Sequence, residues 1–152
     1  MRIIIAAVGR IRNGPEHDLF QDYLKRLKWP SALREVEEKR SIPTPARMAR
    51  EAELLLAGIP AGSVVVALDE RGAALSSPDF ATRLGGWRDS GVDAVTFLVG
   101  GADGHGDAVR NRAELLLSFG IMTWPHRLAR VMLAEQLFRA QTILDGHPYH
   151  RS

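Results

Sequence analysis

The chain contains no cysteine. That excludes disulfides and thiolate metal sites, and it fits a reducing cytoplasm. A membrane-length apolar run is also missing. The apolar opening, Met1 to Val8, is far shorter than a bilayer span and lacks the layout of a signal peptide. The expectation is a soluble cytoplasmic protein with no membrane partner. Charge of one sign is scarce too: the formal net charge is +2, which does not by itself announce a nucleic-acid binder. The basic residues Arg127, Arg130, Arg139 and Arg151 do gather in the last quarter, where the acids are few (Glu135, Asp145). That supports a phosphate-bearing partner only weakly, because a solvated helix face is the commoner cause.

Several motifs are absent. Gly104-His105-Gly106 lacks the third glycine of a dinucleotide loop, which disfavours a nicotinamide fold. No Gly-Lys-Ser/Thr phosphate loop, His-Glu-x-x-His or Gly-x-Ser-x-Gly nucleophile turn occurs. His147 and His150 near the C-terminus have no acid or third ligand close by in sequence, so no metal is expected.

What is present fits one domain. The chain has 152 residues, 45% of them hydrophobic, enough for a real core. Ile3 to Val8, Ser63 to Leu68 and Ala94 to Val99 are apolar without alternation, as strands buried on both faces read. Leu115 to Ser118 reads as a fourth strand and Leu33 to Glu38 as an edge strand. Between them, helices are expected over Glu16–Lys28, from a Thr44 cap with Pro45 in the first turn to about Ala57, from Ser77 to about Asp89, and near Asp107–Ala113. Arg127 to Asp145 has no internal Gly or Pro and reads as a long last helix. Alternating strands and helices imply an α/β domain with a mainly parallel sheet flanked by helices. No internal repeat or linker divides it.

In such sheets ligands bind beyond the carboxyl ends of the strands. Three breaker segments fall there: Asp69 to Gly72 after Leu68, Gly100 to Gly104, and Phe119-Gly-Ile-Met-Thr-Trp-Pro-His126. The last is too apolar for a solvent loop and too broken for a strand. Either loop alone reads as an ordinary strand-to-helix turn; their convergence points to a ligand cradle built largely from main chain. Ile121 and Met122 read equally as plain core. Leu128, Val131 and Met132 mark one side of the last helix, and Leu133, Leu137, Ala140 and Leu144 another. A helix apolar that widely is expected to be covered by its own sheet and by a second subunit.

Leu98-Val-Gly-Gly-Ala-Asp-Gly104, Met122-Thr-Trp-Pro-His126, Arg130-Val-Met-Leu-Ala-Glu-Gln-Leu-Phe-Arg-Ala140 and the closing His147-Pro-Tyr-His-Arg151 resemble the RlmH family. These are the ribosomal-RNA pseudouridine N3-methyltransferases of the SPOUT superfamily. The opening Ala7-Val8-Gly9 and the total length also fit, so the resemblance covers the whole chain. Phe138 stands where a tyrosine is usual, and Gly120 where leucine or serine is commoner. The resemblance implies a single domain over residues 1–152 with a C-terminal trefoil knot, the cofactor-binding knot spanning roughly 94–146 and the tail 147–152. It implies S-adenosylmethionine as methyl donor, a homodimer, and a pseudouridine of large-subunit rRNA, in the assembled ribosome, as target. By position, the cofactor contacts are Leu68, Gly100, Phe119, Gly120, Ile121, Met122, Thr123 and Trp124. Arg139 and the tail residues Tyr149, His150 and Arg151 would meet RNA or the target base.

The acceptor is an imide nitrogen that must lose its proton. With a pKa of ~9, ionisation at neutral pH costs roughly 2–3 kcal/mol, within reach of a general base. His150 is the first candidate for that base; Arg151 or Arg139 would stabilise the anion or hold phosphate, and Tyr149 would stack on a base. His126 is expected to begin the last helix, and Glu135 to pair with Arg139 four residues on. Two other readings stay open: a non-catalytic RNA- or ribosome-binding module that kept the fold, and a related knotted methyltransferase acting on tRNA or a ribose hydroxyl.

Overall fold

The computed structural model describes residues 1–150, so Arg151 and Ser152 lie outside the described residues. Five strands, β1 (Arg2–Val8), β2 (Ser31–Val36), β3 (Val64–Ala73), β4 (Ala94–Val99) and β5 (Leu115–Leu117), form one parallel sheet in the order β2-β1-β4-β3-β5. Five helices join or follow them: α1 (Pro15–Arg26), α2 (Thr44–Ala57), α3 (Ser77–Asp89), α4 (Asp107–Arg112) and α5 (His126–Asp145).

The unalternating strands are apolar because both faces of the sheet are covered. Ile3, Ile5 and Ala7 of β1 pack with Phe20, Phe80, Phe97, Leu133 and Leu137 on the face carrying α1, α3 and α5. Ala6 and Val8 point the other way, toward Ala52 and Leu55 of α2 and Val109 of α4. β4 is central and buried at every position. β2, at one edge, is half exposed, as its weaker apolar pattern suggests. No helix among the described residues is long and apolar enough to cross a membrane.

Two local expectations are corrected. Thr44 does not cap α2. Pro43 takes the extended N-cap position, with ψ 149°, which moves Thr44 into the helix, and no side chain caps that end. β3 does not stop at Leu68. Leu68 and Ala73 both pair with Leu117, so residues 69–72 bulge out and the strand resumes beyond them. Gly72 permits the return: a Cβ there would stand 2.5 Å from the backbone of Leu116.

Candidate active site

The ends of β3, β4 and β5 and the start of α5 surround a cleft of about 330 Å³. Leu68, Gly100, Phe119, Gly120, Met122, Thr123 and Trp124 all line it. Of the residues expected at a cofactor, Ile121 alone is not on the wall. Its side chain is 100% exposed, so it belongs neither to the core nor to the cleft.

Each loop is closed by hydrogen bonds within its own stretch of chain. After β4 the backbone doubles back: Gly104 N–H donates to the Gly101 carbonyl at 3.0 Å, with Gly104 at φ +74°. A Cβ on Gly100 would lie 3.1 Å from the Gly104 carbonyl carbon. The missing side chain therefore lets the loop close on itself. In the second loop Gly120 N–H donates to Ser118 Oγ at 3.1 Å, and that hydroxyl donates to Gly120 O at 3.0 Å. Trp124 Nε1–H reaches back to the Phe119 carbonyl at 3.3 Å and closes the turn.

Three charged or ionisable groups of this cleft, Asp69, His105 and Arg110, were not singled out as site residues by sequence. Asp69, in the bulge, accepts from Arg71 N–H at 2.8 Å and from Arg110 Nε at 2.7 Å. Burial alone would raise its pKa; those hydrogen bonds outweigh burial and hold the carboxyl below its usual value. His105 is buried, and its Nε2–H donates to the Leu98 carbonyl at 3.1 Å. Burial pushes its pKa down against the raising influence of Leu98 O and Asp69. Asp103 on the rim is paired with Arg47 of α2. Asp69 and Arg110 are 41 residues apart in sequence, so no local pattern joins them.

Arg130 contradicts the reading of the last basic residues as one solvated face. It is only 1% exposed. Its Nη1 donates to Glu35 Oε2 at 2.7 Å, and its Nη2 to the carbonyls of Val8 at 3.0 Å and Gly9 at 2.8 Å. The guanidinium thus ties the early turns of α5, next to the cleft, to the end of β1.

The expected RNA-facing residues gather elsewhere. Tyr149 O–H donates to Glu135 Oε1 at 3.1 Å and lies 3.4 Å from the Tyr23 hydroxyl. Burial first, then Tyr23 and Glu135, push its pKa well above the usual phenol value. Its ring meets Phe138 edge-on at 4.6 Å, and the Arg139 guanidinium lies 5.3 Å from its centroid. Arg139 also pairs with Glu135 at 2.6 Å, as the four-residue spacing suggests. Next to Tyr149, His150 is partly buried, with Nδ1 lacking a partner among the described residues. Arg151 lies outside them. Tyr23 and Glu135 belong to a second, mostly apolar cleft of about 600 Å³, separated from the first by Leu117 to Gly120, which line both. Tyr149 and Arg139 therefore do not line the first cleft. His126 begins α5 and does line it. No group of three or more potential metal-ligating side chains occurs among the described residues.

A family model described as "Predicted SPOUT methyltransferase" matches residues 1–150. The chain is 65% identical over 99% of its length to the ribosomal RNA large subunit methyltransferase H of Paramagnetospirillum magneticum, of which it covers 99%. It is 56% identical to the protein of that name from Rhodospirillum centenum, over 100% of both chains.

Proposed function

Because the chain belongs to the SPOUT methyltransferase family, we propose that it methylates large-subunit ribosomal RNA with S-adenosylmethionine bound in the cleft at the ends of β3, β4 and β5. The observation that carries this reading is the cleft itself: two self-closed loops, Gly100–Gly104 and Phe119–Trp124, present main chain to one space of about 330 Å³. That lies within the roughly 300–1,000 Å³ of small-molecule pockets. Main-chain donors and acceptors of the second loop would satisfy the adenine edge, and Leu68 and Met122 would cover its faces. S-adenosylmethionine supplies an activated methyl group, so the protein's task is positioning and charge.

The finer reading is methylation of N3 of a pseudouridine in the assembled ribosome by a homodimer. His150 takes the imide proton, Arg151 and Arg139 hold the anion or a phosphate, and Tyr149 stacks on a base. The dimer accounts for the distance between the first cleft and the tail within one protomer: the tail of one subunit completes the cleft of the other. In support, Ile121, Met122, Trp124 and Leu128, around the start of α5, are exposed apolar residues. The same reading threads the C-terminal segment into a trefoil knot. In support, Met122 to Trp124 share one cleft with both the 69–71 bulge and the glycine loop before α5 docks on α1 and α3.

The test is transfer of radiolabelled methyl from S-adenosylmethionine to ribosomes, isolated subunits and naked rRNA from cells lacking this activity. Label at a pseudouridine N3 on ribosomes is expected. Label on tRNA or on a ribose hydroxyl replaces the target, and no binding of S-adenosylmethionine by calorimetry removes the enzyme reading.

A further inference from the structure

The turn between β1 and α1 carries two arginines that the chemistry above does not use. Residues 10–12 alternate: Arg10 and Arg12 are exposed, and Ile11 between them is buried. The turn is held from two sides. Ile11 N–H donates to Glu35 Oε2 at 2.7 Å, and the same oxygen accepts from Arg130 Nη1 at 2.7 Å. Arg130 Nη2 also binds the carbonyl of Gly9, the residue before Arg10. Arg127 stands one turn before Arg130 on α5, on nearly the same helix face, and is exposed. Ile11 and Arg130 thus anchor the backbone from which Arg10 and Arg12 project, and Arg127 leaves α5 beside a cleft lined by His126 and Ala129 of the same helix turns.

Among the described residues no carboxylate pairs with Arg10, Arg12 or Arg127, although many other arginines form salt bridges. Glu35, the carboxylate that holds this turn, is already engaged by Arg130 and by the Ile11 N–H. Glu16 and Asp18 of the first turn of α1 reach none of the three; Asp18 lies beside His17. Ordered backbone that displays unpaired guanidinium groups next to a reactive cleft suits a polyanion whose charges recur along a chain.

We propose that Arg10, Arg12 and Arg127 form a phosphate-binding rim that grips the backbone of the substrate RNA, with Arg130 and Glu35 as the positioning pair that holds the rim rigid. This rests on the RNA methyltransferase reading but has its own readout. Binding of a fluorescein-labelled large-subunit rRNA fragment to the full-length protein is followed by anisotropy over a range of salt, and S-adenosylmethionine affinity by calorimetry. For Arg10→Ala/Arg12→Ala, the RNA Kd should rise roughly ten-fold, and the slope of log Kd against log salt should fall by roughly 1.4–1.8, at ~0.7–0.9 per lost phosphate contact. Arg127→Ala alone should remove about half that slope change. Cofactor affinity should stay within two-fold in all of them. Arg83→Ala, which removes an exposed arginine on α3 that forms no ion pair among the described residues, controls for net charge and should change neither. The rim is overturned by an unchanged slope, by an equal loss in Arg83→Ala, or by lost cofactor affinity, which would make the turn a support for the cofactor loops. If the unaltered protein binds RNA with this signature but methylates none, the enzyme reading falls and the rim stands. If it methylates RNA while the slope is unmoved by the substitutions, the rim alone falls.

Discussion

His105 is 4% exposed and joins the glycine loop to β4 through its Nε2–H and the Leu98 carbonyl. Burial lowers its pKa from the ordinary 6.5. A histidine whose pKa is lower folded than unfolded takes up a proton on unfolding, so stability rises with pH through this window. The contribution is complete above about 6.5 and is lost as pH falls below that toward the folded value. His126 is also lowered, by burial and then by Arg130 and Arg127, so it acts with the same sign. Urea midpoints should therefore fall between pH 7.5 and 5.5, and His105→Gln should flatten the fall without abolishing it. An equally steep fall in the variant would show that the loop histidine is not the sensor. Arg130 belongs to this scale as well: its buried guanidinium is held by three acceptors, and its Nε remains without a partner among the described residues.

Among the elements, β3 carries the most informative irregularity. Its bulge brings Asp69 and Arg71 to the cleft, and the strand can rejoin β5 only because Gly72 has no side chain. Gly72→Ala should cost ~1–3 kcal/mol by overpacking against backbone and weaken cofactor binding, since the bulge must shift. Gly86→Ala is the contrast. Gly86 lies inside α3 with open space where a Cβ would go, so alanine should stabilise by ~0.5–1 kcal/mol through helix propensity. Calorimetric melting of both variants checks the pair, and a neutral Gly72→Ala would mean the bulge is soft. In α5, one side of the helix is satisfied by its own chain: Val131, Leu133, Leu137 and Ala140 are buried, while Leu128 is 41% exposed. The wide apolar pattern thus divides into a core side and an open side.

For the whole molecule, that open side and the separate positions of the tail and of the two loops proposed to hold the cofactor lead to one experiment. Gly100→Val should deform the glycine loop, because its side chain meets the Gly104 carbonyl. Deleting Tyr149 to Ser152 should spare cofactor binding and remove methyl transfer. In the dimer proposed above, each variant alone is then inactive. Mixed under conditions that exchange subunits, the truncated chain offers intact loops and the Gly100→Val chain an intact tail, so a site shared across the dimer regains activity at one of its two positions. If loops and tail act within one chain, both sites of the heterodimer stay defective. Heterodimers shown to be present but inactive would remove the shared site and leave the methyltransferase reading in place.

The order of strands and helices was legible because it is written in local pattern. Uninterrupted apolar runs such as Ala94 to Val99 need two covered faces, and Gly and Pro break the chain between them. The same punctuation located the loops at Gly100 and Phe119, and the motifs around them carried the family. Sequence could not carry what depends on partners far along the chain. Arg130 reads as one more exposed helix arginine until Glu35, 95 residues away, and the carbonyls of Val8 and Gly9 surround it. Asp69-Glu-Arg-Gly72 reads as a strand end until the neighbouring β5 offers hydrogen bonds to a chain that has bulged and returned. Tyr149 reads as a free tail residue until Tyr23, Glu135 and Phe138 hold its ring and hydroxyl. In each case the local propensity is real, but desolvation makes an unpaired polar group costly, and only the tertiary structure decides which distant group answers it.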